Sequence, residues 1–138
     1  TDNQDIYTIN SQILNGLTLT EINSLNNEEI REMFRDNEIK NPENTVAQQI
    51  GEFYNRNNTE LAENLTRVFV GDFINDYLNL QVRLYDTDNS TFELYRESRT
   101  RTPFDEAAIT ATTKREVFGF INRTSSYGPY VVEVRVWQ

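Results

Sequence analysis

Two periodicities divide the chain. Val46, Ile50 and Phe53 recur at helical spacing, as do Leu61, Leu65, Val68 and Phe69. This predicts two helices joined by the polar turn "NRNN", the second ending near Gly71. Thr45 and Gln48 stand at capping-box spacing before the first, where the hydroxyl takes a free backbone N–H and the amide reaches back. Asn58 or Thr59 is the expected cap of the second. Beyond residue 78 the period drops to two. Leu80, Val82 and Leu84 alternate with Gln81, Arg83 and Tyr85, and Phe92 and Leu94 with Glu93 and Tyr95. Tyr130, Val132, Val134 and Val136 alternate with Val131, Glu133, Arg135 and Trp137. Each pattern predicts a strand with one buried face. "DTDNS" reads as a hairpin loop, "SRTRTPFDEA" as a longer loop, and Gly128-Pro129 as the opening of the last strand. "ITATTKREVFGFI" is apolar on both sides over Val117–Ile121, which predicts a central strand.

The first 44 residues hold nine acids against Arg31, Arg35 and Lys40. Ile6, Ile9, Ile13 and Leu14, then Ile22, Leu25, Ile30, Met33 and Phe34, are spaced as short helices. Asn26 or Asn27 is placed to cap "EEIREMFRD", with acids in its first turn, and Asn41-Pro42 breaks the chain. The expected class is α+β: short N-terminal helices and a helical hairpin packed on a four-stranded antiparallel sheet. One domain spans 1–138, with an acidic helical lead-in (1–44), the helical hairpin (45–75) and the antiparallel sheet (79–137). The expected core is Val46, Ile50, Phe53, Leu61, Leu65, Val68, Phe69, Leu80, Val82, Leu84, Phe92, Leu94, Val117, Ile121, Val132, Val134 and Val136.

Charge and composition narrow the function. A net charge of −9 with mean hydropathy −0.67 argues against a nucleic-acid partner, whose phosphates need Lys and Arg, and against an anionic membrane surface. No apolar run approaches the ~18 residues of a spanning helix. With no His and no Cys there is no Ser-His-Asp triad, thiol nucleophile or ordinary zinc site. The five glycines form no phosphate loop. Carboxylate chemistry remains, with Asp72, Asp76, Asp105 and Glu106 as candidates by loop position. Their ordinary reading is as solvated charges, so no catalytic residue is expected. Asp86, Asp88, Ser90 and Glu97 mimic the spacing of an EF-hand loop, but Thr91 occupies its glycine place and strands flank it. No metal and no cofactor is expected.

Asparagine is the strongest bias, at 17 residues. Asn57, Asn64, Asn89 and Asn122 each begin an N-x-Ser/Thr triplet. Asn57, Asn89 and Asn122 fall in predicted turns suited to a glycan, and Asn64 on a helix. The competing reading is that these are turn formers and caps. Arg96, Arg99 and Arg101, with Lys114 and Arg115, are the basic concentration of an acidic chain. They are candidate contacts for an acidic glycan or a neighbouring subunit's carboxylates. Tyr127, Tyr130 and Trp137 are candidates for a stacking or contact surface; packing in the core or on the sheet is the alternative.

The stretch "NPENTVAQQIGEFYNRNNTELAENLTRVFVGDFINDYLNLQVRLYD" resembles a segment of archaeal exported, type IV pilin-like surface proteins. The resemblance rests on Thr45, Val46, Gln49, Ile50, Gly51, Phe53 and the run Asn57–Thr66. "TTKREVFGFI" followed by "GPYVVEVRVW" is similar to that group's closing strands. The group implies a cleaved leader and an apolar assembly helix; residues 1–40 are polar and carry no such arm. Either such an arm belongs to the protein outside this sequence or only the head-like domain is shared; in both cases the resemblance implies a domain that is extracellular, at the cell surface. Its function would be non-enzymatic, in adhesion or surface-structure assembly, with other surface subunits, copies of itself or extracellular glycan and protein as partners. A glycan- or peptide-binding module is the alternative, and a carboxylate-based hydrolase the third reading.

Overall fold

The computed structural model describes residues 18–20, 27–70, 78–107, 110–120 and 124–138. The proposed helix at Ile6–Leu14, the apolar pair Ile22 and Leu25, and Asp72, Asp76, Ile121 and Asn122 lie outside the described residues. Among the described residues three α-helices come first: α1 (Glu28–Arg35), α2 (Val46–Asn55) and α3 (Thr59–Val70). Four strands follow: β1 (Asn79–Tyr85), β2 (Thr91–Glu97), β3 (Thr110–Phe120) and β4 (Ser126–Trp137). A 3₁₀ turn, Phe104–Glu106, interrupts the loop between β2 and β3. The class is α+β, with the helices packed against an antiparallel sheet.

Local chemistry sets the helix ends. The Asn27 side chain accepts the Ile30 N–H, and Glu28 and Glu29 occupy the first turn of α1, where the helix dipole favours them. Thr45 Oγ1 accepts from Gln48 N (3.1 Å), while Gln48 Oε1 accepts from Thr45 N (3.0 Å), completing the capping box of α2. Asn58 Oδ1 accepts from Leu61 N at the start of α3. α1 and α2 end alike. Asn37 and Asn57 each take φ of 60°. Asn37 N and Glu38 N close onto Phe34 O and Met33 O, and Asn57 N and Asn58 N onto Tyr54 O and Phe53 O. Both ends are Schellman motifs with asparagine in the left-handed position.

The face of α3 is turned from the expected one. Ala62, Leu65, Thr66, Phe69 and Val70 are buried, while Leu61 and Val68 are only partly covered. Thr66 enters the core because its hydroxyl donates to Ala62 O (2.7 Å), satisfying the polar group within the helix.

The sheet order is β2-β1-β4-β3, so β1 and β4 are central. β3 is an edge strand, which corrects the expectation that its apolar stretch marks a central position. Its register breaks between Val117 and Gly119 against β4. The extra residue lies on β4, where Gly128 and Pro129 stand against Phe118 alone. Along β3 the pleat continues unbroken, so Val117 is buried and Phe118 exposed, and apolar residues on both sides do not mean two covered faces. β4 also begins earlier than expected: Gly128-Pro129, a cis bond, lies inside it. A second irregularity falls between Val82 and Arg83 of β1, where Leu94 of β2 is the extra residue.

Leu80, Val82 and Leu84 pair with Val136, Val134 and Val132 and are all buried on the face that meets the helices. α2 packs on β3 and β4, and α3 on β2. The opposite face carries Gln81, Arg83, Glu133, Arg135 and Trp137. No helix covers it among the described residues; the β2–β3 loop does.

Candidate functional site: a cationic basin on the outer sheet face

Loop 98–107 is fixed over the outer face by two side chains at the sheet's end. Asn79 is buried; its Oδ1 accepts from Arg99 N (2.7 Å) and Thr100 N (2.9 Å), and its Nδ2 donates to Thr100 Oγ1 (2.6 Å). Trp137 Nε1 donates to Thr102 O (2.8 Å). Pro103 then starts the 3₁₀ turn, which sets Phe104 edge-on to the Trp137 ring, centroids 5.5 Å apart. The Arg135 guanidinium lies 4.5 Å from the Phe104 ring centre, a cation–π distance. Between loop and sheet lies an open basin of about 360 Å³.

Four guanidinium groups line this basin: Arg83, Arg96, Arg101 and Arg135. Their fixed partners are Glu93 and Glu133. Arg96 Nε donates to Glu93 Oε1 (2.8 Å), as does Gln81 Nε2 (2.8 Å). Glu133 is the deeper carboxylate. Its Oε1 accepts from Arg83 Nε (3.1 Å) and Nη2 (2.9 Å), Arg135 Nε (2.8 Å) and Tyr85 OH (3.1 Å), and Lys114 Nζ stands 3.5 Å from Oε2. Burial alone would raise the Glu133 pKa; the hydrogen bonds from Arg83 and Tyr85 and the charges of Arg135 and Arg83 outweigh it and hold the carboxyl below its ordinary value. Glu93 is likewise held low, by Arg96 first. Asp105 is the other acid in the wall. Arg101 makes no hydrogen bond or ion pair among the described residues. The arrangement is a cradle of fixed donors with positive charge in excess, suited to carboxylates or other oxyanions.

The candidates read from sequence divide. Arg96, Arg101 and Trp137 come together here. Arg99 points its guanidinium at Glu97 (2.9 Å) beside the basin. Tyr127 and Tyr130 lie on the opposite, helix-facing side, buried, with their rings 6.3 Å apart. Tyr127 OH donates to Gln48 O, and Tyr130 OH to Asn55 Oδ1. Asn57 and Asn89 are exposed in turns and Asn64 is partly exposed on α3. Asn89, with φ of 68°, closes the β1–β2 turn. Asp86 and Asp88 serve that turn too: Asp86 N donates to Ser90 O, and Asp88 Oδ1 accepts from Ser90 N. Among the described residues no cluster of acids has the makings of a metal site, and Asp105 and Glu106 are exposed.

Comparison with family models, curated proteins and solved structures returns no match. The geometry therefore carries the functional argument. Sequence reasoning overlooked Arg83, Glu133, Arg135, Phe104 and Asn79. The signal for three of them was present: Arg83, Glu133 and Arg135 share the polar parity of β1 and β4, and pairing those strands brings the charges together.

Proposed function

We propose that this chain is a non-enzymatic, exported cell-surface domain of pilin-like type that takes part in surface-structure assembly. Its outer sheet face docks the carboxylates of a neighbouring subunit. The observation that supports this is the basin itself: four arginines gathered on one face of a chain with net charge −9. The exposed acids Glu60 and Glu63 of α3 and Glu43 before α2 lie in the helical part of the molecule. Copies stacked sheet face to helix layer would match opposite charges, a heterologous contact of the kind that builds filaments. The exposed turn residues Asn57 and Asn89 fit glycan acceptors on an extracellular surface.

Sedimentation velocity at low and high salt tests the docking. Association that weakens as salt rises, and is lost in Arg101→Glu, supports it, because exposed charges are screened beyond about 8 Å at physiological ionic strength. A monomer under every condition overturns the self-docking reading. A second reading, an acidic glycan, is favoured by Phe104 and Trp137 in the same wall. Polygalacturonate binding that Arg101→Glu abolishes would select it. Intact mass of protein from the native host reads the acceptor sites directly.

A further inference from the structure

A second cavity, of about 590 Å³, opens between α2, the loop before it and β3 at Phe118 and Gly119. We propose that it is a binding site for an uncharged sugar residue. Its polar wall is one stripe of α2, Gln48, Glu52 and Asn55, at i, i+4 and i+7. Each of these side chains is half-committed. Gln48 gives its oxygen to Thr45 N in the capping box (3.0 Å), leaving Nε2 without a partner among the described residues. Asn55 gives its oxygen to Tyr130 OH (2.9 Å), leaving Nδ2 likewise. Glu52 is held by Asn44 Nδ2 (3.1 Å) and Arg56 (3.3 Å) and keeps acceptor capacity. The result is two oriented amide donors beside a fixed carboxylate acceptor. Adjacent hydroxyls, each donor and acceptor at once, complement that set; of the two cations in the lining, Lys40 and Arg56, the second is already paired with Glu52.

The apolar wall points the same way. Phe118 is the exposed large hydrophobic residue of the described chain, at 57%. It lines the cavity, at the point of β3 that faces the Gly128-Pro129 bulge of β4. Tyr127 forms another part of the lining. It fits only because residue 119 is glycine: a Cβ there would come within 2.6 Å of the Tyr127 ring. An exposed ring beside fixed amides offers a platform for the C–H face of a pyranose. This site is separate from the basin, which lies across the sheet and shares none of its residues.

Chemical-shift titration of the full chain with methyl mannoside, methyl galactoside and methyl N-acetylglucosaminide tests the proposal. Saturable shifts of the Gln48 and Asn55 side-chain amides by at least one probe are expected. Phe118→Ala should weaken that probe about tenfold, as the loss of one stacking partner does, and Gln48→Ala should weaken it too. Phe118 is exposed, so its variant should keep the parent's spectrum elsewhere. Arg101→Glu should leave sugar binding unchanged, which separates this site from the basin. No shift with any probe overturns the proposal, as does binding undiminished in both Phe118→Ala and Gln48→Ala.

Discussion

Replacing Glu133 by Gln removes one negative charge from under three cations and changes little in shape. The Glu133 side chain is 2% exposed, against 19% for Arg83 and 24% for Arg135. Its Oε1 collects four donor contacts, and Lys114 faces Oε2. Glutamine keeps one oxygen but turns an N–H₂ toward donors and leaves the guanidinium groups facing each other. Removing one partner of a buried pair costs about 3–5 kcal/mol. Both arginines retain some water contact, which screens the pair and reduces that cost to about 2–4 kcal/mol. With a urea m-value of about 2 kcal/mol/M, the midpoint should fall by about 1–2 M with m unchanged. The pH dependence has a definite sign. The folded pKa of Glu133 lies below its unfolded value. Its contribution is therefore present above the unfolded value, about 4.3, and is lost as pH falls toward the folded one. The parent should lose stability in that window and the variant should lose less. A variant within about 0.5 kcal/mol of the parent at neutral pH, or one with the parent's acid slope, would refute the view that Glu133 holds the basin together.

Tyr54, Tyr95 and Tyr127 have phenol pKa values pushed up to about 12, Tyr54 chiefly by its hydrogen bond to Asp86 and the other two chiefly by burial. The unfolded phenols ionise near 10, so stability should fall as pH rises above that value, and absorbance titration should resolve late-ionising tyrosines; one uniform transition near 10 contradicts this. Asn57→Ala places a Cβ residue at φ of 60° and should cost about 1–2 kcal/mol, while Asn57→Gly should be near neutral in thermal melts; equal losses in both would mean that backbone conformation is not the cause. Trp137→Phe removes the donor to Thr102 O, a loss of about 1 kcal/mol, and should speed amide exchange at Thr100 and Thr102; unchanged exchange would show the loop to be held by Asn79 alone.

Much of the architecture was legible because it rests on short-range chemistry. The Thr45–Gln48 box, the Asn27 cap and the alternation of Leu80, Val82 and Leu84 each act within a few residues. Strand order was not legible, because the apolar run at Val117–Phe118 looks alike in a central strand and in an edge strand that leaves one of its faces exposed. The orientation of α3 was missed because a threonine can be buried when its hydroxyl bonds back along the helix. Of the basin, the linear cluster Arg96–Arg101 was visible. Arg83, Glu133 and Arg135 were not, since their meeting depends on β1 pairing with a strand some 50 positions away. Tyr127 and Trp137, close in sequence, lie on opposite sides of the sheet: each points as the local pleat and the break at Gly128-Pro129 dictate.

Both register irregularities fall where an outer strand meets its inner neighbour, at Leu94 of β2 on one flank and at Gly128-Pro129 of β4, opposite Phe118, on the other. A flat border of unpaired amides would invite any extended peptide to lengthen the sheet without limit. Here the β2 border is kinked part-way by its extra residue, and the β3 border, set against a bulged neighbour, carries Lys114, Arg115 and Glu116 along its run. Molecules crowded at high density are thereby steered away from amyloid-style growth, and ordered contact between them is left to the broad faces.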